Sequence, residues 1–367
     1  MKITAVSTFR LDLPLPAVVH AAGYEIRSRD YHLVRIDTDA GLSGWGFTLA
    51  RGADVAGVVD RNLVPLLEGE DPLLNERLWR KMYETTRYIG QQGMVIRAIS
   101  MVDIALWDIK GKQARMPLAF LVGGDVSAVP VNAVGGYYRD GATPDSLYDE
   151  VRRLSDLGYW GVKIAAGSLE REEDSQRLCA ARRALGPSGR LMADVNWCWT
   201  DLKASLQTAR EWEQFQLRWI EEPCPPENMT FRRRFCRAST APVALGDEQY
   251  GRWNFRTWIE QGAADILRPD ATVTGGITEY LKIAALASCH GVPLAPHYYP
   301  DVHVHLAAAF PHTLCIETFD ESSGLDSFHL LRKQPLRAVN GRMRVPDAPG
   351  LGLEIDEAAL EKYGTRT

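Results

Sequence analysis

The sequence predicts an α/β protein: a closed parallel β/α barrel preceded by a smaller α+β domain. Three observations carry this expectation. From Val129 onward, short apolar runs of the buried-strand kind recur eight times, separated by amphipathic stretches. Before that point the pattern is different, alternating apolar and polar residues and then shifting to helical spacing. The 367 residues also suffice for a barrel of about 250 residues plus one smaller domain.

Residues 2–12 and 31–38 alternate like half-buried strands, and GLSGWG (41–46) reads as a hairpin turn between two such stretches. Three helical stretches follow. The last, from about Met94 to Gln113, keeps apolar residues at helical spacing and ends near Pro117. The first domain is therefore expected to span 1–125. The eight runs are VPVNAV, GVKIAA, RLMADVN, LRWIEEP, APVALGDE, ADILRPDA, GVPLAPH and TLCIETF, and right-handed connections between them make the sheet parallel. They place the barrel at 126–330. Residues 331–367 contain no further strand–helix unit and are expected to pack back on the first domain.

Composition excludes several classes. A net charge of -5 without a block of like charge gives no electrostatic basis for nucleic-acid binding, and Arg232, Arg233 and Arg234 read as a solvated helix face. The six cysteines form no CxxC pair, which fits reduced thiols rather than a zinc site or a disulfide framework. The first residues lack the apolar core of a signal peptide, and no apolar run reaches the roughly 18 residues of a membrane span. A cytoplasmic location without membrane contact is the expectation.

The chemistry lies in what ends the runs. Lys163, Asp194, Glu221, Asp247, Asp270, His297 and Glu317 follow one another at intervals of 31, 27, 26, 23, 27 and 20 residues. Each interval is the length of one strand–helix unit, so the seven side chains should meet at the C-terminal mouth of the barrel. A single acidic residue at a strand end can be explained as a helix cap; seven in register cannot. Asp194, Glu221 and Asp247 on successive strands would repel one another unless a hard divalent cation lay between them. All-oxygen ligands favour one Mg²⁺ per subunit, with Mn²⁺ able to substitute. Alternation along a strand turns Glu222 and Glu248 away from that point.

These residues lie in segments that resemble the mandelate racemase branch of the enolase superfamily over essentially the whole chain. The segments include AISMVDIALWDIKGKQARMPLAFLVGG (98–124), GYWGVKIAAG (158–167), ADVN (193–196), WIEEP (219–223), GDEQYG (246–251), RPDATVTGGITE (268–279) and APH (295–297). The resemblance implies a modified TIM barrel, (β/α)7β, with an N-terminal α+β capping domain. It implies that Asp194, Glu221 and Asp247 ligate the metal, that His297 and Asp270 form a catalytic dyad, and that Glu317 hydrogen-bonds a substrate carboxylate. His297 would be the base, its basicity raised by Asp270, and Glu317, if protonated, would stabilise the enediolate. Homo-oligomers are common among such proteins and are expected here. Loops of the first domain would cover the mouth, which nominates the stretches 20–29 and 49–54, with His20, Tyr24, Arg27 and Arg51 as substrate contacts. Asn196, two residues beyond Asp194, is placed on the same strand face and could meet a substrate hydroxyl.

The chain departs from that branch in two places. Where a Lys-x-Lys motif is common it has Lys163-Ile164-Ala165, and alanine cannot move a proton. In GDEQY, aspartate takes the ligand position, leaving Glu248 as an alternative ligand. Loss of one base disfavours racemisation and favours dehydration of a sugar acid, an aldonate or aldarate, in carbohydrate catabolism. Lys163 is left between direct proton transfer and an electrostatic role. A racemase, epimerase or lactone cycloisomerase is the alternative within the superfamily, and a noncatalytic binding protein is the alternative outside enzymes.

Overall fold

A computed structural model of the chain describes residues 1–21, 23–125 and 127–366. One position of the 20–29 stretch, residue 22, and residue 126, where the barrel was expected to begin, lie outside the described residues.

The first layer is an antiparallel sheet in the order β12-β1-β2-β3, with β1 at Ile3–Ala21, β2 at Tyr24–Thr38, β3 at Ser43–Leu49 and β12 at Gly364–Arg366. The turn joining β2 to β3 covers only 39–42, so Gly44 and Gly46 are strand residues rather than turn residues. They are glycines because the helix Met94–Ala114 crosses directly over them. A Cβ at Gly44 would lie 2.2 Å from the Ala105 carbonyl oxygen, and one at Gly46 would lie 1.9 Å from that of Met101.

The second layer is the barrel. Its strands are β4 (Ala128–Gly135), β5 (Gly161–Ala165), β6 (Leu191–Asp194), β7 (Trp219–Glu221), β8 (Val243–Leu245), β9 (Ile266–Leu267) and β10 (Ile316–Phe319), paired in parallel as β10-β4-β5-β6-β7-β8-β9. The seventh apolar run, GVPLAPH, forms no extended strand. Leu294 alone closes the ring through parallel bridges to Leu267 and Thr313. Proline at 293 and 296 explains the brevity, since neither can donate a ladder hydrogen bond. The C-terminal segment meets both layers: β11 (Arg342–Arg344) pairs with β4, and β12 pairs with β1.

Polar contacts lock the helix Met94–Ala114 to the barrel. Asp103 accepts from the Thr278 backbone N–H at 2.8 Å, capping the helix Gly276–Cys289, and the Ser100 hydroxyl accepts from the Gly275 N–H at 2.8 Å. The Thr48 hydroxyl donates to the Thr272 carbonyl at 3.0 Å. The loop carrying Asp270 is thereby held from the first layer. Arg232 departs from the solvated-face expectation: it is fully buried because its guanidinium pairs with Glu222 at 3.0 Å. No helix among the described residues is long and apolar enough to cross a membrane.

Candidate active site

Strand register brings the predicted residues together. Asp194 lies opposite Glu221 on β6 and β7, and Ala165 lies opposite Asp194 on β5 and β6. Asp194, Glu221 and Asp247 each offer a carboxylate oxygen, and these oxygens lie within 4.8 Å of one another. All three residues are buried. Burial drives the carboxyls of Asp194 and Glu221 upward, and the charge of Asp247 adds to this against the pull of Lys163 and Arg268. Such a cluster suits a hard cation: among the described residues, four carboxylates, counting Glu317, pair with the two fixed charges of Lys163 and Arg268. The deficit equals one divalent ion.

Lys163 is buried between Glu221, Asp194 at 3.4 Å and Glu317 at 2.9 Å. Burial and Arg268 oppose its charge, but the three carboxylates outweigh them and hold the ammonium protonated well above the usual lysine range. That favours an electrostatic role over proton abstraction. Glu317 accepts from Lys163, from Arg268 at 2.9 Å and from Asn132 at 3.3 Å. Burial would raise its carboxyl, but Arg268 and Lys163 prevail and lower it. With these donors around it, Glu317 is an anionic acceptor rather than the protonated donor considered from the sequence.

The His297 Nδ1 lies 2.9 Å from Asp270 Oδ2. Asp270 is further fixed by the Thr272 N–H at 2.7 Å, and burial pushes its carboxyl up to about 7. The imidazole of His297 moves the other way from the expectation. Burial lowers it well below the ordinary histidine value, outweighing Glu317. Asp270 therefore orients the ring, and desolvation keeps it neutral.

The glutamates beside the cluster have other partners. Glu222 accepts from the N–H groups of Gly246 and Asp247, at 2.5 and 3.3 Å, and from the Trp197 indole at 2.8 Å. It thus holds the backbone that carries the third ligand. Glu248 pairs with Arg51 at 2.7 Å and with Arg97, which occupies its oxygens away from the acidic cluster.

A small, partly enclosed cavity opens above these groups. Lys163, Asp194, Asp247, His297 and Glu317 form its floor, while Arg29, Arg51, Ile26 and Ala21 of the first layer help to wall it. Asn196 lines it too, but not by strand alternation. β6 ends at Asp194, and Asn196 turns in through a left-handed backbone at φ 50°. The other nominated contacts stand off the lining. His20 Nε2 lies 3.4 Å from Asp140, Tyr24 is 75% exposed, and Arg27 pairs with Glu25 at the surface. The cover is a hairpin of β1 and β2, docked by a two-way backbone bridge between His20 and Tyr138.

Sequence reasoning missed two arginines. Arg29 is only 4% exposed and donates to the Leu325 carbonyl at 2.9 and 3.0 Å. Arg268 is fully buried beneath the acidic cluster. It follows directly on the two-residue strand β9, so no strand period marked it as inward-facing.

The family model "Mandelate racemase / muconate lactonizing enzyme, N-terminal domain" matches residues 4–123, and "Enolase C-terminal domain-like" matches 146–359. The chain belongs to the mandelate racemase/muconate lactonizing enzyme family of the enolase superfamily. Its relatives include enzymes that eliminate water and enzymes that isomerise. It is 35% identical to D-galactarolactone cycloisomerase of Agrobacterium fabrum over 99% of both chains, and 35% identical to arabinonate dehydratase of Saccharolobus solfataricus over 89% of both. The structure of L-talarate dehydratase from Polaromonas sp. JS666, complexed with Mg and L-glucarate, superposes with a TM-score of 0.88 at 32% identity, covering 100% of this chain and 99% of that one.

Proposed function

We propose that the chain is a magnesium-dependent dehydratase of a sugar acid. Asp194, Glu221 and Asp247 would hold the ion, which when bound supplies positive charge against the substrate carboxylate and the charge that develops on it. The steps of the chemistry fall to side chains. With Nδ1–H donated to Asp270, the lone pair of His297 Nε2 takes the proton α to the carboxylate. The electron pair released moves into the carboxylate as an enediolate, whose charge the Lys163 ammonium stabilises. The pair then returns to form the Cα–Cβ double bond as the β C–O bond breaks. The departing hydroxyl takes the proton from His297 and leaves as water, and the enol becomes a 2-keto-3-deoxy acid.

The observation that carries this reading is a single neutral imidazole held by a carboxylate, with a methyl group at Ala165 where a second base would be needed. For the substrate, Arg29 and Arg51 at the cap end of the cavity favour an aldarate, whose distal carboxylate they would face, over an aldonate. Incubation with a library of sugar acids and Mg²⁺, read by keto-acid formation with semicarbazide, tests the activity. Turnover of an aldarate is expected. Absence of turnover across the library, or absence of divalent-ion binding by calorimetry, would instead favour a noncatalytic binding protein. The full-length match to a cycloisomerase supports a second reading, isomerisation or lactone opening from one face. Product analysis separates the two, since an isomerase yields no keto acid.

A further inference from the structure

The dehydration chemistry assigns nothing to Arg268, although no other cation among the described residues touches as many parts of the site. Its Nε lies 2.8 Å from Asp247 Oδ1 and 3.1 Å from Glu221 Oε2. Its Nη2 lies 2.9 Å from Glu317 Oε2, and its Nη1 donates to the Ala295 carbonyl at 2.9 Å. One planar guanidinium therefore ties the ends of β7, β8 and β10 to the segment that carries His297. It is fully buried and does not line the cavity, so it has no direct contact with a substrate there.

We propose that Arg268 is a positioning residue that assembles the acidic cluster before the divalent cation arrives, and that fixes Glu317 in register with it. The inference rests on the reading that Asp194, Glu221 and Asp247 bind a divalent ion. Carboxylates this close and this buried repel one another, and a cluster without compensation would spread apart or take up protons. Lys163 reaches Asp194, Glu221 and Glu317 but not Asp247. Arg268 supplies the missing contact to Asp247, which lies past the end of β8 and is held otherwise through its backbone by Glu222. A rigid fork suits this task because its donors diverge in fixed directions toward separate strands. The single point charge of lysine cannot span them.

The consequence is a metal dependence of stability that the wild-type protein largely avoids. Arg268→Met should unfold at a clearly lower temperature in EDTA, and saturating Mn²⁺ should restore much of the loss. The Mn²⁺-induced rise in Tm should exceed that of the wild-type protein by at least about 5 °C. Arg268→Lys, which keeps the charge but not the fork, should fall between them and provides the same comparison if Arg268→Met does not fold in EDTA. Equal destabilisation of the variants with and without Mn²⁺ would mark Arg268 as a packing residue and overturn the proposal. Calorimetry on the wild-type protein separates this failure from the other one. If the wild-type protein binds no Mn²⁺, the metal reading itself falls, and this inference with it.

Discussion

His297 Nδ1 and Asp270 Oδ2 lie 2.9 Å apart, and the segments that carry them are joined by the parallel bridge between Leu267 and Leu294. The carboxylate fixes which imidazole nitrogen carries the proton and which faces the cavity. His297→Asn should therefore abolish keto-acid formation. Asp270→Asn, which keeps the shape but favours the wrong tautomer, should lower kcat by on the order of 10²–10⁴-fold with little change in KM. Single-turnover assays on purified variants with normal circular dichroism spectra check both.

Because burial lowers His297 well below the ordinary histidine range, its neutral, basic form persists as the pH falls. The base is lost only when the pH drops through that lowered value. The acid limb that His297 sets in the kcat profile should accordingly lie below pH 6.5, the ordinary histidine value, whereas a limb near 7 would report the Asp270 carboxyl. An acid limb at or above that value would show that some other group titrates.

His305 gives a stability test away from the chemistry. Its Nδ1 accepts from the Ala119 N–H at 3.3 Å, its Nε2 contacts the Leu351 carbonyl at 3.0 Å, and burial lowers it from 6.5 to about 4. The unfolded chain binds this proton below pH 6.5 and the folded chain only near pH 4, so its contribution is full above 6.5 and fades as the pH falls toward 4. His305→Gln should cost about 1–3 kcal/mol at pH 7, and the Tm gap to the wild-type protein should narrow by pH 4.5. A gap that widens on acidification contradicts the assignment.

Ala165 lies opposite Asp194 on the neighbouring strand. Ala165→Lys would restore a potential base there. The variant should gain exchange of the α-proton with solvent, measurable by NMR in D₂O, while its keto-acid yield falls.

Arg51 shares Glu248 with Arg97, so its removal leaves no carboxylate unpaired. Arg51→Met should raise KM for an aldarate by about tenfold and change KM for an aldonate far less. Equal effects on both would remove Arg51 from distal-carboxylate recognition.

Much of this site was legible because a barrel repeats. Polar residues recurring at the length of a strand–helix unit place themselves at one mouth whatever the loops do, which brought Asp194, Glu221 and Asp247 together. What remained hidden depended on contacts that spacing does not encode. Arg27 and Arg29 differ by one strand period, yet only Arg29 turns into the cavity, because the Leu325 carbonyl in the stretch after β10 receives it. Arg232 looks like one of three surface arginines until Glu222 is known to lie beside it. The net direction of the His297 shift was equally invisible, since a sequence names the partner but not the depth of burial.

One incubation tests the central claim most directly: an aldarate with Mg²⁺ in D₂O, followed for the keto acid and for deuterium at the α-carbon of recovered substrate, with the wild-type protein and His297→Asn in parallel. One-base dehydration predicts one equivalent of 2-keto-3-deoxy acid from the wild-type protein and none from the variant. Epimerised, deuterated substrate without keto acid, or near-normal keto-acid formation by His297→Asn, would contradict it.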